Sequence, residues 1–297
     1  MSDAALSLVL DLPAGFRRED ILRFHRRDRE EVAEAVGEDW LRKGLLWRGL
    51  PACLEVIFED ALARVRLQID GPVVAADPVE LKACVGRMLG LTQAVEAFEA
   101  RFIAHPELGP LIARQRGLRV PVAASPFEAL VWAIIGQQIS VNAAISIRRK
   151  LILATGAPHS GGLCCHPDAP RLAATSEATL RAAGLTATKA ATVLAVSAAA
   201  ATEALPLTRW IEDLPAAEAE GLLLAQRGIG PWTVNYTLLR GYGWLDGSLH
   251  GDVAVRRSLQ RLLGESTRLD APRAADWLAG FSPWRALVAA HLWASDG

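Results

Sequence analysis

Two glycines flank an apolar residue at Gly228-Ile229-Gly230, between two apolar runs with helical spacing. Because glycine accepts a positive φ, this pair predicts a tight turn. The backbone amides of the turn and of the first residues of the next helix are expected to face outward. A helix N-terminus with free N–H groups binds a phosphate without using side chains. The hydroxyl of Thr233 adds a further donor. The alternative is an ordinary connection between two helices.

Aromatic residues follow this turn. Trp232 and Tyr236 are four positions apart and therefore share one helix face, and Trp293 comes from the last helical run. Aromatic faces stack on a base that has left its helix, and they attract a cationic base. The alternative is that all three belong to the core, as most helical aromatic residues do.

Asp252 stands directly before a helical run that begins at Val253. Its structural role would be that of a helix N-cap. Its chemical role would be that of a carboxylate that stabilises an oxocarbenium-like sugar cation, or activates water, during N-glycosidic cleavage. The two roles are compatible if one oxygen caps. The rival carboxylate is Asp246, whose Trp-Leu-Asp-Gly-Ser setting indicates a surface turn.

Composition sets the class of protein. The chain has 297 residues, of which 51% are hydrophobic and 22% charged, as in globular proteins of two or three domains. The net charge is only −1, but Gln226–Arg261 contains five arginines against two aspartates, which is compatible with a phosphate-facing surface. The lack of a membrane-length apolar run and of a basic leader predicts a cytoplasmic protein without membrane partners.

Alternating polarity marks the N-terminal part. Val65, Leu67 and Ile69 fall on one face of a strand, and Glu59-Asp60 fits a hairpin turn to the preceding alternating run. This pattern predicts an α+β domain with a small antiparallel sheet over residues 1–74.

Helical patterning begins at Asp77-Pro78, which is typical of an N-cap followed by proline in the first turn. Helical runs without a strand pattern then continue, so residues 75–297 are predicted to form an all-α region with a helical hairpin at about 216–241. The loop at 155–170 is expected to link two helical lobes, and a cleft between lobes is a natural ligand site. The predicted fold class is therefore mainly α.

Several stretches together resemble the helix-hairpin-helix DNA glycosylase superfamily, and most of all its alkylation-repair branch, the 3-methyladenine DNA glycosylases II. These stretches are Ser125-Pro-Phe-Glu-Ala-Leu-Val-Trp-Ala-Ile-Ile-Gly-Gln-Gln-Ile-Ser140, Gly184-Leu-Thr-Ala-Thr-Lys-Ala190, Gly228-Ile-Gly-Pro-Trp-Thr-Val-Asn-Tyr236, Ser282-Pro-Trp-Arg-Ala-Leu287 and His291-Leu-Trp293. The resemblance implies a two-lobed helix-hairpin-helix body preceded by an α+β domain.

The resemblance also implies roles for matching residues. Asp252 matches the catalytic aspartate, and the base pocket would be lined by Trp232, Tyr236 and Trp293. Gln137 and Gln138 match the loop that fills the gap left by a flipped nucleotide, and contacts to DNA would also come from Gly228, Gly230 and Thr233.

A structural ion is implied at the hairpin. The backbone carbonyls of Leu224, Gln226 and Ile229 match positions that hold a monovalent cation, Na⁺ or K⁺, and no cofactor is expected for catalysis. The chain departs from the branch at His250-Gly251, where proline or a second aspartate is usual, and at Gln138, where an apolar wedge can stand.

The identity of residue 232 indicates whether cleavage of the DNA backbone is expected in addition to base release. Relatives that also cut the DNA backbone carry a lysine two positions after the second glycine of the hairpin, and this chain has Trp232 there. We therefore expect a monomeric, monofunctional glycosylase that releases alkylated bases from double-stranded DNA by hydrolysis and leaves an abasic site. The alternatives are a glycosylase for oxidised or mismatched bases and a non-catalytic helix-hairpin-helix DNA-binding protein.

Overall fold

The computed structural model describes residues 4–295. Its N-terminal part is a five-stranded antiparallel sheet with the strand order β1-β5-β4-β3-β2. Helix α1 (Arg18–His25) follows the first strand. The strands are β1 (Ala4–Asp11), β2 (Glu34–Val36), β3 (Trp40–Trp47), β4 (Leu50–Phe58) and β5 (Leu62–Ile69).

The β4–β5 hairpin follows the predicted alternation. Val65, Leu67 and Ile69 are buried, whereas Arg64 and Arg66 on the opposite face are exposed. Helix α2 (Asp77–Met88) packs its apolar side chains into the same core. The N-cap predicted at Asp77 is wrong by one position, because the helix already begins at this residue. Its carboxylate instead accepts hydrogen bonds from the indole of Trp47 and the guanidinium of Arg48, both at 2.9 Å.

The remaining helices form two lobes with separate apolar cores. The helices are α3 (Val95–Phe102), α4 (Leu108–Arg114), α5 (Pro126–Gly136), α6 (Val141–Thr155), α7 (Ala169–Ala173), α8 (Glu177–Ala182), α9 (Ala187–Ala201), α10 (Ala216–Leu224), α11 (Pro231–Thr237), α12 (Val253–Leu262), α13 (Ala271–Ala279) and α14 (Arg285–Ala294). A π-helical turn, Leu238–Tyr242, continues α11. Helices α5 and α11 contribute to both cores, so they lie where the lobes meet. No helix within residues 4–295 is long and apolar enough to span a bilayer.

The expectation that everything after residue 75 is helical is wrong at one place. Two short strands, β6 (Ala157–Pro158) and β7 (Cys164–Cys165), pair with each other. The backbone amide of Cys164 also donates to the carbonyl of Val32 at 2.8 Å, so this segment contacts the N-terminal part as well as linking helices. Strands of two residues are too short to show alternating polarity in a sequence. The boundary at residue 74 stays a prediction.

Four charged side chains, which we call the buried ion cluster, join the sheet to the helical body. They are Glu34 (β2), Lys43 (β3), Glu128 (α5) and Arg148 (α6). Lys43 Nζ lies 2.6 Å from Glu34 and 2.8 Å from Glu128, and Arg148 donates to both carboxylates at 2.7–2.9 Å.

The two cations of the buried ion cluster keep its two carboxyl groups ionised. Burial alone would raise the pKa of Glu34 and of Glu128, but the neighbouring Arg148 and Lys43 charges lower the pKa of both carboxyl groups. Both therefore stay ionised out of water. Each of the four residues is no more than 6% exposed. Water therefore contributes little to stabilising the four charges, which depend on their ion pairs with one another.

Candidate active site

The hairpin is formed by α10, a turn and α11. Gly228 has a φ of +86°, and a Cβ atom there would lie 2.3 Å from the hydroxyl oxygen of Thr192. That hydroxyl donates to the carbonyl of Arg227 at 3.2 Å, so it is held against the turn. Gly230 differs, because its φ is −111° and a Cβ atom there would meet open space. The positive φ expected of this turn is therefore confirmed at Gly228 alone.

The two glycines form a matched pair for a test of the turn. We expect Gly228→Ala to destabilise the protein by at least about 1–2 kcal/mol, because alanine is strained at a positive φ and also meets Thr192. We expect Gly230→Ala to leave the free energy of unfolding nearly unchanged. Urea unfolding of both variants measures the difference. Equal stability of the two variants would contradict the strain assigned to Gly228.

Asp252 is the N-cap of α12, as one of its predicted roles requires. Its Oδ1 accepts from the amide of Val255 at 3.0 Å. Two indoles also donate to this carboxylate, Trp232 Nε1 to Oδ2 at 2.9 Å and Trp293 Nε1 to Oδ1 at 3.2 Å. Hydrogen bonds to both oxygens fix the plane of the carboxylate.

Aromatic rings surround this carboxylate in a cavity of about 1010 Å³. The rings of Trp232 and Tyr236 are 5.2 Å apart, and those of Tyr236 and Trp293 are 6.2 Å apart. The hydroxyl of Tyr236 accepts from the indole of Trp132 at 2.8 Å. Asp252 and its three predicted aromatic neighbours thus line one cavity, whose size and apolar walls suit a small organic group.

The cavity is also lined by aromatic and guanidinium side chains that the sequence analysis had not assigned to it, namely Phe24, Arg27, Trp132 and Arg240. Arg240 is four residues after Tyr236, so the spacing 232, 236, 240 could have revealed it. The other three reach the cavity only through tertiary packing. Arg240 is one of the five arginines of Gln226–Arg261, and the structure places it on the wall of the cavity.

Two guanidinium groups lie beside these rings. The guanidinium carbon of Arg27 is 4.0 Å from the ring centre of Phe24 and 4.4 Å from that of Trp132. Arg240 lies 4.8 Å from Phe24, and its Nη1 donates to the carbonyl of Pro121 at 2.9 Å. Burial lowers the pKa of both arginines below its ordinary value. The cavity therefore combines a carboxylate with two partly desolvated cations.

Gln137 and Gln138 occupy different positions. Gln137 Nε2 donates to the carbonyl of Gly228 at 3.0 Å and to the hydroxyl of Thr233 at 2.9 Å, so it connects the end of α5 to the hairpin. Thr233 is only 2% exposed. It nevertheless lines the cavity, and its contact with DNA stays a prediction. Gln138 is exposed at the edge of the cavity and has a φ of +56°. It remains the better placed of the two to enter a DNA helix.

The predicted cation site can be examined at its carbonyls. Within the hairpin turn, the carbonyl of Gln226 accepts from the amide of Ile229 at 3.1 Å. A carbonyl oxygen has two lone pairs, so Gln226 keeps one for an ion. Leu224 ends α10 and Ile229 lies in the turn, and the cation site at the three carbonyls stays a prediction.

The rival carboxylate Asp246 is held elsewhere. It accepts from Arg285 Nε at 2.9 Å and from the hydroxyl of Ser282 at 2.9 Å, and its side chain is 17% exposed. The expected turn is present at Leu245 and Asp246, and the carboxylate of Asp246 is paired with Arg285 at the start of α14. Asp246 lies outside the cavity, which leaves Asp252 as the carboxylate of this site.

Two family models together match most of the chain. HhH-GPD superfamily base excision DNA repair proteins match residues 131–277, and the AlkA N-terminal domain matches residues 7–125. DNA-3-methyladenine glycosylase 2 of Escherichia coli (strain K12) is 30% identical over 199 residues, which are 66% of this chain and 66% of that protein. A probable bifunctional transcriptional activator/DNA repair enzyme AlkA of Mycobacterium tuberculosis is 29% identical over 70% of this chain. This chain spans just under two thirds of the first relative and 41% of the second.

A solved structure shows the same architecture. The 3-methyladenine DNA glycosylase from Archaeoglobus fulgidus matches with a TM-score of 0.82 over 97% of this chain and 98% of that one, at 20% identity. The predicted mainly α fold with an N-terminal antiparallel sheet is confirmed. The chain belongs to the HhH-GPD superfamily of base excision DNA repair proteins and carries an AlkA-type N-terminal domain.

Proposed function

We propose that this protein is a monofunctional DNA glycosylase that releases alkylated bases of the 3-methyladenine and 7-methylguanine type by hydrolysis. The proposal depends above all on Asp252, whose carboxylate is held by two indole N–H groups on the wall of an aromatic cavity. The names of the Escherichia coli and Archaeoglobus fulgidus proteins support this substrate class.

Double-stranded DNA is the proposed partner. The amides at the start of α11 and the turn at Gly228 would hold a backbone phosphate. A damaged nucleotide would rotate into the cavity, and Gln138 would enter the space that it leaves. Na⁺ or K⁺ at the carbonyls of Leu224, Gln226 and Ile229 would support the turn from behind. The protein would act as a monomer in the cytoplasm.

The chemistry follows from charge. Alkylation makes the base a cation, so the base departs as a neutral molecule and needs little help from a general acid. As the N-glycosidic bond lengthens, positive charge develops on the sugar, and the ionised carboxylate of Asp252 stabilises it. The faces of Trp232 and Tyr236 stack on the base. Water then adds to the sugar, and an abasic site results.

We infer from the residues that line the cavity that the enzyme does not cleave the DNA backbone. Among the described residues that line it there is no lysine to form a Schiff base with the sugar. Trp232 stands at the hairpin position that this lysine would need, and its indole binds Asp252. Lys189, on the neighbouring α9, does not line the cavity, and its amine donates to the carbonyls of Ile135 and Gln137 at 2.8 and 2.7 Å.

Incubation with methylated duplex DNA tests the proposal. We expect free alkylated bases, measured by chromatography, and strands that stay intact until alkali cleaves the abasic sites. Strand cleavage without alkali would contradict the monofunctional assignment. DNA binding without release of any base would favour the non-catalytic alternative, and release of oxidised or mismatched bases alone would favour the other glycosylase class.

A further inference from the structure

The N-terminal wall of the cavity carries a cation that has no close anionic partner among the described residues. This cation is Arg27, which lies two residues after the end of α1 and lines the cavity together with Asp252. The carboxylates of Glu34 and Glu128 act on its charge only from a distance. Within residues 4–295, its guanidinium has no carboxylate within 4.0 Å and no hydrogen-bond acceptor, and its contacts are the rings of Phe24 and Trp132. Buried or half-buried charges are normally paired, so this arrangement calls for an acceptor from a ligand.

The stacking determines which part of Arg27 is available. A guanidinium that lies against aromatic rings uses its faces for these contacts, whereas its N–H donors point outward in its own plane. Arg240 is different, because one of its donors already binds the carbonyl of Pro121. Arg27 is therefore the cation of this cavity whose donors can all serve a ligand.

We propose that Arg27 determines specificity by donating to a carbonyl oxygen of the flipped base, so that the cavity favours 6-oxopurines over 6-aminopurines. This inference rests on the proposed glycosylase function. A 6-oxopurine such as 7-methylguanine presents an acceptor at C6, whereas a 6-aminopurine such as 3-methyladenine presents an amino donor there. A donor that faces the guanidinium leaves both groups without a partner.

A comparison of 7-methylguanine with 3-methyladenine distinguishes the hydrogen bond of Arg27 from the effect of its positive charge. Both methylated nucleosides are cations, so repulsion by Arg27 and Arg240 weakens the binding of both. The group at C6 distinguishes them at this edge, and a charged donor discriminates strongly between an acceptor and a donor. The ratio of the two release rates therefore reports the hydrogen bond.

Single-turnover release of 7-methylguanine and 3-methyladenine from methylated duplex DNA tests the role of Arg27. In Arg27→Met, the apolar stem between the rings is retained and the donors are lost. We expect the ratio of 7-methylguanine to 3-methyladenine release to fall about tenfold, through slower release of 7-methylguanine. Arg23→Met is the matched control, because the side chain of Arg23 on α1 is 72% exposed, and it should keep the parent ratio.

Arg27→Lys provides a second test that keeps the positive charge but loses the planar set of donors. We expect its ratio to fall in the same direction, and its thermal midpoint verifies that it is folded. An unchanged ratio in both variants, or an equal loss of both activities, would overturn the proposal. If the parent released neither base, the proposed function itself would fail together with this inference, which is a different result from release at an unchanged ratio.

Discussion

Asp252→Asn is expected to slow base release by about 10²–10³-fold, the loss typical when a charge that stabilises a transition state is removed. Asparagine is nearly isosteric and also caps helices well, so α12 should keep its N-cap bond to Val255. Its amide nitrogen then replaces Oδ2 and cannot accept from the indole of Trp232, whereas the oxygen that caps the helix can still accept from Trp293. Single-turnover release from methylated DNA measures the loss, and urea unfolding measures the remaining stability.

Asp246→Asn is the matched control for this variant. It removes the same charge from an aspartate that lies six positions earlier and is paired with Arg285, outside the cavity. We expect it to release bases at the parent rate at temperatures where it is folded. If Asp252→Asn kept the parent rate, the role proposed for Asp252 would be wrong. If both variants lost activity equally, the effect could not be assigned to the site.

Arg148→Met is expected to reduce the free energy of unfolding by about 3–5 kcal/mol, the usual cost of removing one partner from a buried set of charges. The change leaves Glu34 and Glu128, both ionised out of water, with Lys43 as the one remaining cation of the cluster. The cost arises from this uncompensated negative charge more than from lost packing. Urea unfolding, followed by circular dichroism, measures it.

A second change can restore the balance of charge. The double variant Arg148→Met/Glu128→Gln removes one charge of each sign, and we expect it to be more stable than Arg148→Met alone. As a surface control, Arg64→Met breaks an exposed ion pair with Glu59 and should cost far less. A loss in Arg148→Met no larger than that in Arg64→Met would show that the cluster does not stabilise the fold.

Local sequence was sufficient for much of the site. Trp232 and Tyr236 share a helix face because four positions make about one turn, and Asp252 could be placed because capping residues precede apolar helical runs. The positive φ at Gly228 likewise follows from residue type. Each of these predictions depends on neighbours in the chain, which is the information that spacing contains.

Contacts between residues that are distant in the chain could not be predicted from local sequence patterns. Arg27 and Trp132 are more than a hundred positions apart, and their stacking follows from how the sheet packs on the helical body. Gln137, which lines the cavity, also binds the hairpin because α5 ends beside Thr233, and no local pattern indicated this contact. Nothing in the sequence around Lys43 in β3 indicated that this lysine would be buried. Such features depend on tertiary partners that no local pattern specifies.

Two parts of the chain build the cavity, and each of them can change without the other. The carboxylate and the hairpin come from the helical body, whereas Phe24 and Arg27 come from the end of α1. A substitution in this N-terminal segment can alter the shape and charge of the cavity while Asp252 and the hairpin turn stay as they are. Under the proposed function, the AlkA-type domain would therefore supply the wall through which the preference for a base can change without a change in the catalytic carboxylate.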